Sequence, residues 1–521
     1  MRKIESATSD ALTRRNLLKG SGMALGGLVL AGSGSGCEGK DSTVPTPSGD
    51  ATQQFTYLAN LPTFTPRTPL EPNEMRITFM GSGFPPPRRA QAEMSVFVEV
   101  GNAKGEPDQF IFDCGSGVST NYNAMNIPFS RMDKIFLNHL HGDHMNDLTH
   151  IYWMGPASDR KSPLYVWGPK RSGITCPAWG TTPATNYDDG TRALCENLRA
   201  ALRWATESFS FQTTSYAGYD TPTRQGWQYP DKRGPVGDDP PADGYALTPI
   251  ELDWTKFGAT EGDNVAYYNP TTGVKITHFP VIHNRKGSVG YKVEWNGLSM
   301  IYSSDTKPEV NSINQAKNGG QGVDVFIHEM ILPADVLTMK TLRITDPSQV
   351  PQQVWNGALQ SAIAVQNSSH TPQGAYGYLL SQITPPPRLA VATHFTVADD
   401  TTALALNSVR THVPGITWDP TGIIQDGGQH PASGAGNITW SGDLMVLRVF
   451  PDRILVQRAV VSDYTYQPYP GAAYANQNPA KYDDGDPSTP YGDPYAQIDS
   501  STAVPAKDPV TGKDNYRADG Y

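Results

Sequence analysis

Four side chains that commonly bind metal ions lie close together in one short segment. Residues 138–144 have the sequence NHLHGDH and directly follow the apolar run at 135–137. Only 11 histidines occur in the chain, and three of them lie here. Because neighbouring side chains of a regular strand point to opposite faces, a loop at a strand end suits convergence better. Imidazoles and carboxylates are ligands of Zn²⁺, so the segment predicts a metal site rather than a solvated polar loop. The candidate ligands are His139, His141, Asp143 and His144.

The same arrangement, an apolar run that ends at a polar side chain, recurs further along the chain. The residues at these positions are His139, His283, Asp305, His328 and His394. A single histidine after a strand is usually only hydrogen-bonded. Ligand sites in open α/β sheets form outside the carboxyl ends of strands, so the shared position indicates one site at one sheet edge.

These residues must be positioned by a fold rich in strands. Alternating or continuous apolar runs predict strands at 76–80, 95–100, 110–112, 164–169, 274–277, 288–293, 298–302, 323–327 and 389–393, and a hairpin formed by 445–450 and 454–458. Met145, Leu148, Ile151 and Tyr152 recur at helical spacing, so a helix is expected to begin at 143–144. Residues 171–270 are rich in Gly, Pro, Asp and Tyr, and predict a long insertion with at most one or two short helices, for example at 193–206.

The length of 521 residues and the non-globular ends favour one catalytic domain at 75–463 that contains the insertion. Residues 1–36 carry the pair Arg14-Arg15 before a small-apolar span at 22–31. That span is too short and Gly-rich for a stable membrane helix. It resembles a twin-arginine export signal, which implies a periplasmic or secreted protein without a transmembrane helix in its mature chain. The alternative is a disordered basic N-terminus.

The segments that flank the catalytic domain have the composition of extended chain. Residues 37–74 are expected to form a flexible linker, and Cys37 at its start could carry a lipid anchor, although the preceding residues lack the usual leucine. Residues 464–521 are rich in Tyr and Pro and predict an extended C-terminal tail. Export to an oxidising compartment would allow a disulfide between Cys176 and Cys195, whereas Cys114 beside an apolar strand is expected to be buried.

The charge balance disfavours a nucleic-acid partner. The formal net charge is −10, and residues 1–36 hold five basic and two acidic side chains, so the rest of the chain is more acidic still. Binding a polyanion requires basic surface that releases counterions. A local basic patch is not excluded, but a small-molecule substrate is the expected partner.

Several segments together resemble a known family. Residues 78–83 (TFMGSG), 112–117 (FDCGSG) and 136–147 are similar to the metallo-β-lactamase superfamily. The later segments resemble its ribonuclease Z and arylsulfatase-like branch, and they are 290–293 (GYKV), 302–306 (YSSDT), 326–330 (FIHEM), 369–371 (SHT) and 392–396 (ATHFT). The resemblance covers roughly 76–170 and 274–400. It implies an α/β fold, the αββα sandwich of two mixed β-sheets flanked by helices.

The resemblance also implies a binuclear metal centre. By position, the first ion is held by His139, His141 and His283, the second by Asp143, His144 and His394, and Asp305 bridges them. His278 is an alternative to His283, but the downstream Gly-Tyr segment favours His283. Zn²⁺ is the expected metal, with Mn²⁺ or Fe as alternatives. A bridging hydroxide would be the nucleophile, since metal binding lowers the pKa of water from about 16 to about 7.

Three residues are candidates for catalytic roles. The resemblance places His370 where a proton donor to the leaving group would be, with Glu329 orienting it, and Asp143 counts as catalytic as well as a ligand. A positioned general acid contributes on the order of 10²–10⁴ in rate. The alternatives are that His370 is a structural loop residue and Glu329 a surface acid at a strand end.

Departures from the family pattern bear on the substrate. About ten residues separate Val293 from Asp305, too few for the tRNA-clamping arm of short ribonuclease Z enzymes. None of the four cysteines lies where thiolate-type β-lactamases place a ligand. The expected function is hydrolysis of a small-molecule phosphodiester or sulfate ester. The alternatives are a lactonase and a metal-retaining binding protein without catalytic activity.

Overall fold

The computed structural model describes residues 56–101, 107–158, 160, 162–206, 244–418, 421–462, 507 and 510–513. The predicted signal segment 1–36, Cys37 and most of the predicted tail 464–521 lie outside these residues. The chain divides into two compact units, Met1–Asp463 and Tyr464–Tyr521, and every helix and strand given below belongs to the first. None of the described helices is both long and apolar enough to cross a bilayer.

The described strands are short and run through the whole first unit. They are β1 (Thr63–Phe64), β2 (Met75–Gly81), β3 (Ser95–Gly101), β4 (Pro107–Phe112), β5 (Lys134–Phe136), β6 (Leu164–Pro169), β7 (Thr175–Cys176), β8 (Thr185–Asn186), β9 (Leu247–Leu252), β10 (Val265–Tyr268), β11 (Lys275–Pro280), β12 (Val289–Trp295), β13 (Leu298–Tyr302), β14 (Val325–Glu329), β15 (Leu389–Thr393), β16 (Gly415–Thr417), β17 (Ile423–Ile424), β18 (Ala435–Trp440), β19 (Met445–Val449) and β20 (Ile454–Ala459).

The described α-helices lie between these strands. They are α1 (Thr56–Asn60), α2 (Val118–Ala124), α3 (Gly142–Met145), α4 (Leu148–Ala157), α5 (Thr191–Ala201), α6 (Val310–Lys317), α7 (Ala334–Leu342), α8 (Gln352–Ser369), α9 (Gln373–Ser381) and α10 (Asp399–Arg410). Short 3₁₀ turns occur at Phe129–Arg131, Trp254–Lys256, Glu261–Asn264, Asn318–Gly320 and Pro347–Gln349.

The strands form two mixed sheets. The first has the order β1-β20-β19-β2-β3-β4-β5-β6-β9, with β17 also paired to β20, and the second has the order β10-β11-β12-β13-β14-β15-β18-β16. Strands β4, β5, β6 and β9 are parallel, as are β13, β14, β15 and β18. Parallel strands are covered on both faces and therefore read as continuous apolar runs. The carboxyl ends of these strands form the edge at which the candidate metal ligands lie.

The two sheets pack face to face, and helices cover their outer faces. The central core joins side chains of the first sheet, such as Phe136 and Trp167 stacked at 4.6 Å, to Tyr291 and Met300 of the second. A second apolar cluster joins the first sheet to α2, α4 and α5. A third joins the second sheet to α6, α9 and α10. These layers are the αββα sandwich that the sequence predicts, and the fold prediction is confirmed.

Two regions are more regular than the sequence predicts. In the predicted insertion 171–270, β9 and β10 extend the first and second sheets. Strand β9 contains Pro249, which pattern analysis counts against a strand but which edge strands tolerate. In the predicted linker 37–74, α1 and β1 are ordered, and β1 pairs with Arg458 and Ala459 of β20. The predicted hairpin is confirmed as β19 and β20.

No disulfide joins Cys176 to Cys195 in the structure, and both thiols are free. Cys195 lies on α5 and is buried in the cluster behind the first sheet. Cys176 lies on the small hairpin β7-β8, where its Sγ faces the Pro177 carbonyl at 3.8 Å. The two side chains therefore lie in different local environments. Cys114 is fully buried, as expected.

Candidate metal centre

The histidine-rich loop begins at the end of β5 and is fastened to both sheets. Leu137 donates its N–H to the Trp167 carbonyl at 2.8 Å, which extends the parallel pairing by one residue. Asn138 donates its N–H to Asp113 Oδ1 at 2.9 Å, and its carbonyl accepts from the N–H of Val289 at 3.0 Å. These bonds fix the direction in which the chain leaves the strand, so the following side chains face the second sheet.

A first group of candidate ligands consists of His139, His141 and His283. His141 Nδ1 lies 3.0 Å from His139 Nε2 and 3.1 Å from His283 Nε2. His283 Nδ1 lies 3.0 Å from the carbonyl oxygen of Ser369. Since that carbonyl can only accept, His283 carries its proton on Nδ1 and presents a lone pair on Nε2, which is the usual state of a metal-binding histidine.

A second group consists of Asp143, His144, Asp305 and His394. Asp143 Oδ2 lies 3.3 Å from Nε2 of both His144 and His394. Asp305 Oδ1 lies 3.4 Å from His144 Nε2, and its Oδ2 lies 3.4 Å from His394 Nε2. Asp305 Oδ2 is also only 3.8 Å from His283 Nε2 of the first group. The carboxylate of Asp305 therefore lies between the two groups.

The donor atoms of the second group are better placed to bind a cation than to hydrogen-bond to one another. His144 Nε2 and Asp305 Oδ1 are both buried without a hydrogen-bond partner, although they are 3.4 Å apart. Such orphaned polar atoms are costly unless something else binds them. Imidazole nitrogens and carboxylate oxygens are the donor set of Zn²⁺ and related divalent ions. The residues present therefore fit a metal centre.

The electrostatics of the two groups differ. Burial lowers the pKa of His139 well below its ordinary value and lowers that of His283 to about 3, which favours neutral, lone-pair-bearing rings. Burial opposes protonation of His144, but the carboxylates of Asp305 and Asp143 outweigh it and raise its pKa. Burial also opposes ionisation of Asp305, yet the surrounding imidazoles hold its pKa well below the ordinary range. Negative charge is thus concentrated in the second group.

Asp113 supports the second group, and we did not predict it. Its Oδ2 accepts from His144 Nδ1 at 2.8 Å, from the Tyr302 hydroxyl at 2.9 Å and from the Ser304 hydroxyl at 3.1 Å. A carboxylate behind a metal-binding histidine fixes its tautomer and orientation. Asp113 directly follows β4 and has a left-handed φ of 58°. Its position at a strand end is the signal that could have revealed it.

His370 and Glu329 form a pair beside the two groups. His370 caps the carboxyl end of α8, and its Nδ1 lies 2.8 Å from Glu329 Oε2. Glu329 is fully buried at the end of β14 and also accepts from the N–H of Thr306, so it is not a surface acid. Burial opposes protonation of His370, but Glu329 outweighs it and raises the pKa of His370 to about 9.

Two further histidines lie outside the candidate ligand groups. His278 is buried in β11 opposite Tyr291, so the structure brings His283 rather than His278 to the cluster. His328, which the strand-end pattern singled out, has its Nδ1 2.8 Å from the Glu329 carbonyl. Burial lowers the pKa of His328 to about 4. Strand side chains alternate between faces, so His328 points away from the site that its neighbour Glu329 joins.

A buried polar network holds the loop that carries His394. Gln91 Nε2 donates to the Phe395 carbonyl at 2.9 Å and to the Ser82 hydroxyl at 3.1 Å. Ser82 in turn donates to Asp443 Oδ1 at 2.8 Å. Burial raises the pKa of Asp443 to about 7. His394 itself has a left-handed φ of 57°, and the network stabilises the loop immediately after it. These contacts join segments that are distant in the sequence.

A cavity of about 440 Å³ begins at His139, His141 and His283. Its other walls come from the segment between β6 and α5 and from the loop after His283. The described part of the predicted insertion therefore borders the candidate metal centre.

Comparisons with known proteins find relatives in sequence. No family model matches the chain. A ribonuclease Z of Treponema denticola is 36% identical over 66 residues, which are 13% of this chain and 21% of that protein. A ribonuclease Z of Mycobacterium bovis is 23% identical over 276 residues, covering 52% of this chain and 76% of that protein. The ribonuclease BN of Proteus mirabilis is 21% identical over 270 residues, covering 50% and 78%. The chain thus spans only about a fifth of the first of these relatives.

Two solved structures are similar at low sequence identity. The metallo-β-lactamase fold protein YhfI of Bacillus subtilis has a TM-score of 0.41 and 12% identity, with 72% of this chain and 100% of that chain covered. The short form of human tRNase Z has a TM-score of 0.38 and 16% identity, with 71% and 98% covered.

Two face-to-face mixed sheets with helices outside, and a histidine-rich loop at the carboxyl end of a central strand, define a protein of the metallo-β-lactamase fold. Within that class, the chain is similar in sequence to ribonuclease Z and ribonuclease BN. The fold and this similarity both agree with the resemblance found in the sequence.

Proposed function

We propose that this chain is an exported binuclear-metal hydrolase that cleaves a small-molecule phosphodiester. The observation that carries the proposal is the convergence of candidate ligands from both sheets around Asp305, with His370 and Glu329 beside them. The paired arginines near the N-terminus support export. The relatives named above support phosphodiester chemistry as the reaction class.

The residues present would hold two divalent ions. His139, His141 and His283 would bind one, Asp143, His144 and His394 the other, and Asp305 both. Two such ions supply hydroxide at neutral pH and stabilise the charge that develops on the attacking and leaving oxygens. Zinc is the expected metal because the donors are imidazoles and carboxylates, with manganese and iron as alternatives.

His370 is the proposed proton donor. Its Nδ1–H is held by Glu329, so its Nε2 is available to protonate the leaving oxygen as the bond from phosphorus to that oxygen breaks. Glu329 orients the ring and stabilises its charged form, as its effect on the pKa of His370 indicates. The hydroxyl product would leave with the proton from His370, and water would then restore that proton.

Three features support a small substrate. The cavity at the first ligand group has a volume of about 440 Å³, within the range of small-molecule sites. Strands β12 and β13 are joined by a tight turn at Asn296 and Gly297, so no RNA-clamping arm extends from this position. The formal net charge of −10 also disfavours a polyanion.

RNA is the second candidate substrate, favoured by the names of the relatives. Sulfate esters, lactones and metal binding without catalysis are further alternatives that the same ligand set allows. A panel of metal-loaded assays separates them: an alkyl nitrophenyl phosphate, a nitrophenyl sulfate, an aliphatic lactone and a precursor tRNA. Turnover of the phosphodiester above the others is the expected result. Preferential tRNA or lactone cleavage, or no turnover at full metal occupancy, would refute the proposal.

A further inference from the structure

The cavity beside the centre has a defined relation to the proposed proton donor. It begins at the first ligand group, whereas His370 does not border it within the part of the chain that the structure describes. The leaving group must approach His370 to receive a proton. The cavity therefore suits the part of the substrate that stays on phosphorus.

Part of the cavity wall is apolar. Leu140 follows the first ligand, Pro169 ends β6, and Ala193 and Leu194 lie on α5. These side chains would remove a short carbon skeleton from water, at roughly 0.8 kcal/mol for each buried methylene group. The wall therefore fits a compact aliphatic portion rather than a nucleic-acid strand.

The acidic groups at the outer rim of the cavity are already paired. Asp188 lies 2.7 Å from Arg171, and Asp189 lies 2.6 Å from Arg285. Asp189 also accepts from the N–H and hydroxyl of Ser172. These carboxylates are thus neutralised by partners of their own and do not supply a counter-charge to other cations at the rim.

Lys286 is the lining cation without such a partner. Lys170 pairs with Asp253, whereas Lys286 forms no ion pair with the described residues. Lys286 is exposed at the rim of the cavity. An ammonium at the rim of a cavity whose carboxylates are already paired favours an anionic ligand group there.

The backbone on both sides of Lys286 is held in place. Arg285 is bonded to Asp189 and packs over the ring of Tyr187 at 5.4 Å. Gly287 has a φ of +105°, and a Cβ at this position would lie 2.8 Å from Trp254 Nε1. The backbone that carries Lys286 is therefore fixed beside the cavity, which lowers the entropy cost of binding an anion.

From these contacts we infer that the substrate is a small phosphodiester whose retained part carries a second anionic group, a carboxylate or a phosphate, bound by Lys286. This inference rests on the proposed function. The apolar wall buries the carbon chain between the two anionic groups, and Lys286 selects for the second one. Lys286 is thus a specificity-determining residue and takes no part in bond cleavage.

The test measures binding of matched phosphonates to the zinc-loaded full chain by calorimetry. Propylphosphonate has an apolar end, 3-phosphonopropionate ends in a carboxylate, and ethane-1,2-bisphosphonate ends in a second phosphonate. We expect one or both of the doubly anionic ligands to bind about fivefold more tightly than propylphosphonate, the upper range for an exposed ion pair. Lys286→Ala should remove that preference and Lys286→Glu should reverse it.

Lys317→Ala is the matched control, because Lys317 ends α6 outside the cavity lining. This variant should keep the preference of the unaltered protein. Equal binding of all three ligands, no binding of any, or a preference that survives Lys286→Ala would overturn the inference. A preference that depends on Lys286 in a protein that hydrolyses no phosphodiester would support the anion pocket while refuting the proposed reaction. The tighter of the two anionic ligands shows whether carboxylate or phosphate is bound.

Discussion

The two sheets contribute to the metal centre in different ways. The first sheet supplies four candidate ligands from a single loop after β5, whereas the second supplies His283, Asp305 and His394 from three separate strand ends. The loop ligands can come close together through local chain geometry alone. The ligands of the second sheet meet only after their strands have paired. Removing a ligand that the second sheet supplies should therefore affect more of the centre than removing one from the loop after β5.

The largest expected effect comes from Asp305→Ala. Its carboxylate lies between both ligand groups, so metal content should fall to less than one ion per chain. Activity should fall by about 10³ or more, since metal ions supply several kcal/mol of charge stabilisation. Asp143→Ala is the comparison, and it should lose only the second ion. Elemental analysis of the purified variants measures both, and two retained ions in Asp305→Ala would contradict the bridging role.

His370→Ala tests the group beside the centre rather than within it. Substrates with poor leaving groups should lose on the order of 10²–10⁴ in kcat, while nitrophenyl esters, which need little proton assistance, should lose far less. Metal content should stay unchanged. A plot of rate against leaving-group pKa for both proteins measures the difference, and equal losses on all substrates would exclude His370 as the proton donor.

Asp113→Asn tests how Asp113, at the end of a strand of the first sheet, holds the candidate ligand His144. It weakens the hold on His144 while keeping the size of the side chain, so affinity for the second ion should fall about 10–100-fold. Affinity for the first ion should change little. Competition with a chromogenic chelator measures both affinities, and circular dichroism checks that the fold is retained. Equal weakening of both ions would argue against a specific role.

The smallest effect is expected for Asp443→Asn, away from the ligands. Burial raises the pKa of Asp443 to about 7, above its ordinary value, so the folded state holds a proton that the unfolded state releases. Stability from this group is therefore fully present below about pH 4, the ordinary range of the carboxyl, and is lost as pH rises from there through 7. Compared with the unaltered protein, the variant should gain about 2 °C in melting temperature between pH 4.5 and pH 8. Thermal unfolding at both pH values measures this, and a parallel pH dependence would refute it.

The sequence was most informative where the signal was local. The loop at 138–144 combines rare residue types in one segment, and apolar runs before His283, Asp305 and His394 mark strand ends. Strands β9 and β10 were missed because their segments are short and lie in a region rich in Gly and Pro. Helix α1 and strand β1 were missed for the same compositional reason.

Other features depended on contacts between distant segments. Asp113, Gln91 and Asp443 act through hydrogen bonds to residues far away in the chain, and a buried carboxylate looks like any other in sequence. The sequence left open whether Cys176 and Cys195 are bonded, because membership of one segment does not set the distance between them, and in the structure both are free.

The sequence alone indicated a metal centre, because the types of the donor side chains and their local spacing can be read directly from it. The family resemblance favoured His283 over His278, and the tertiary structure decided between them by bringing His283 to the other candidate ligands. The physical reason is that His278 lies within β11, whereas His283 lies beyond the end of that strand, at the edge where the other candidate ligands meet. The neighbours that orient each ligand are likewise set by how the two sheets pack.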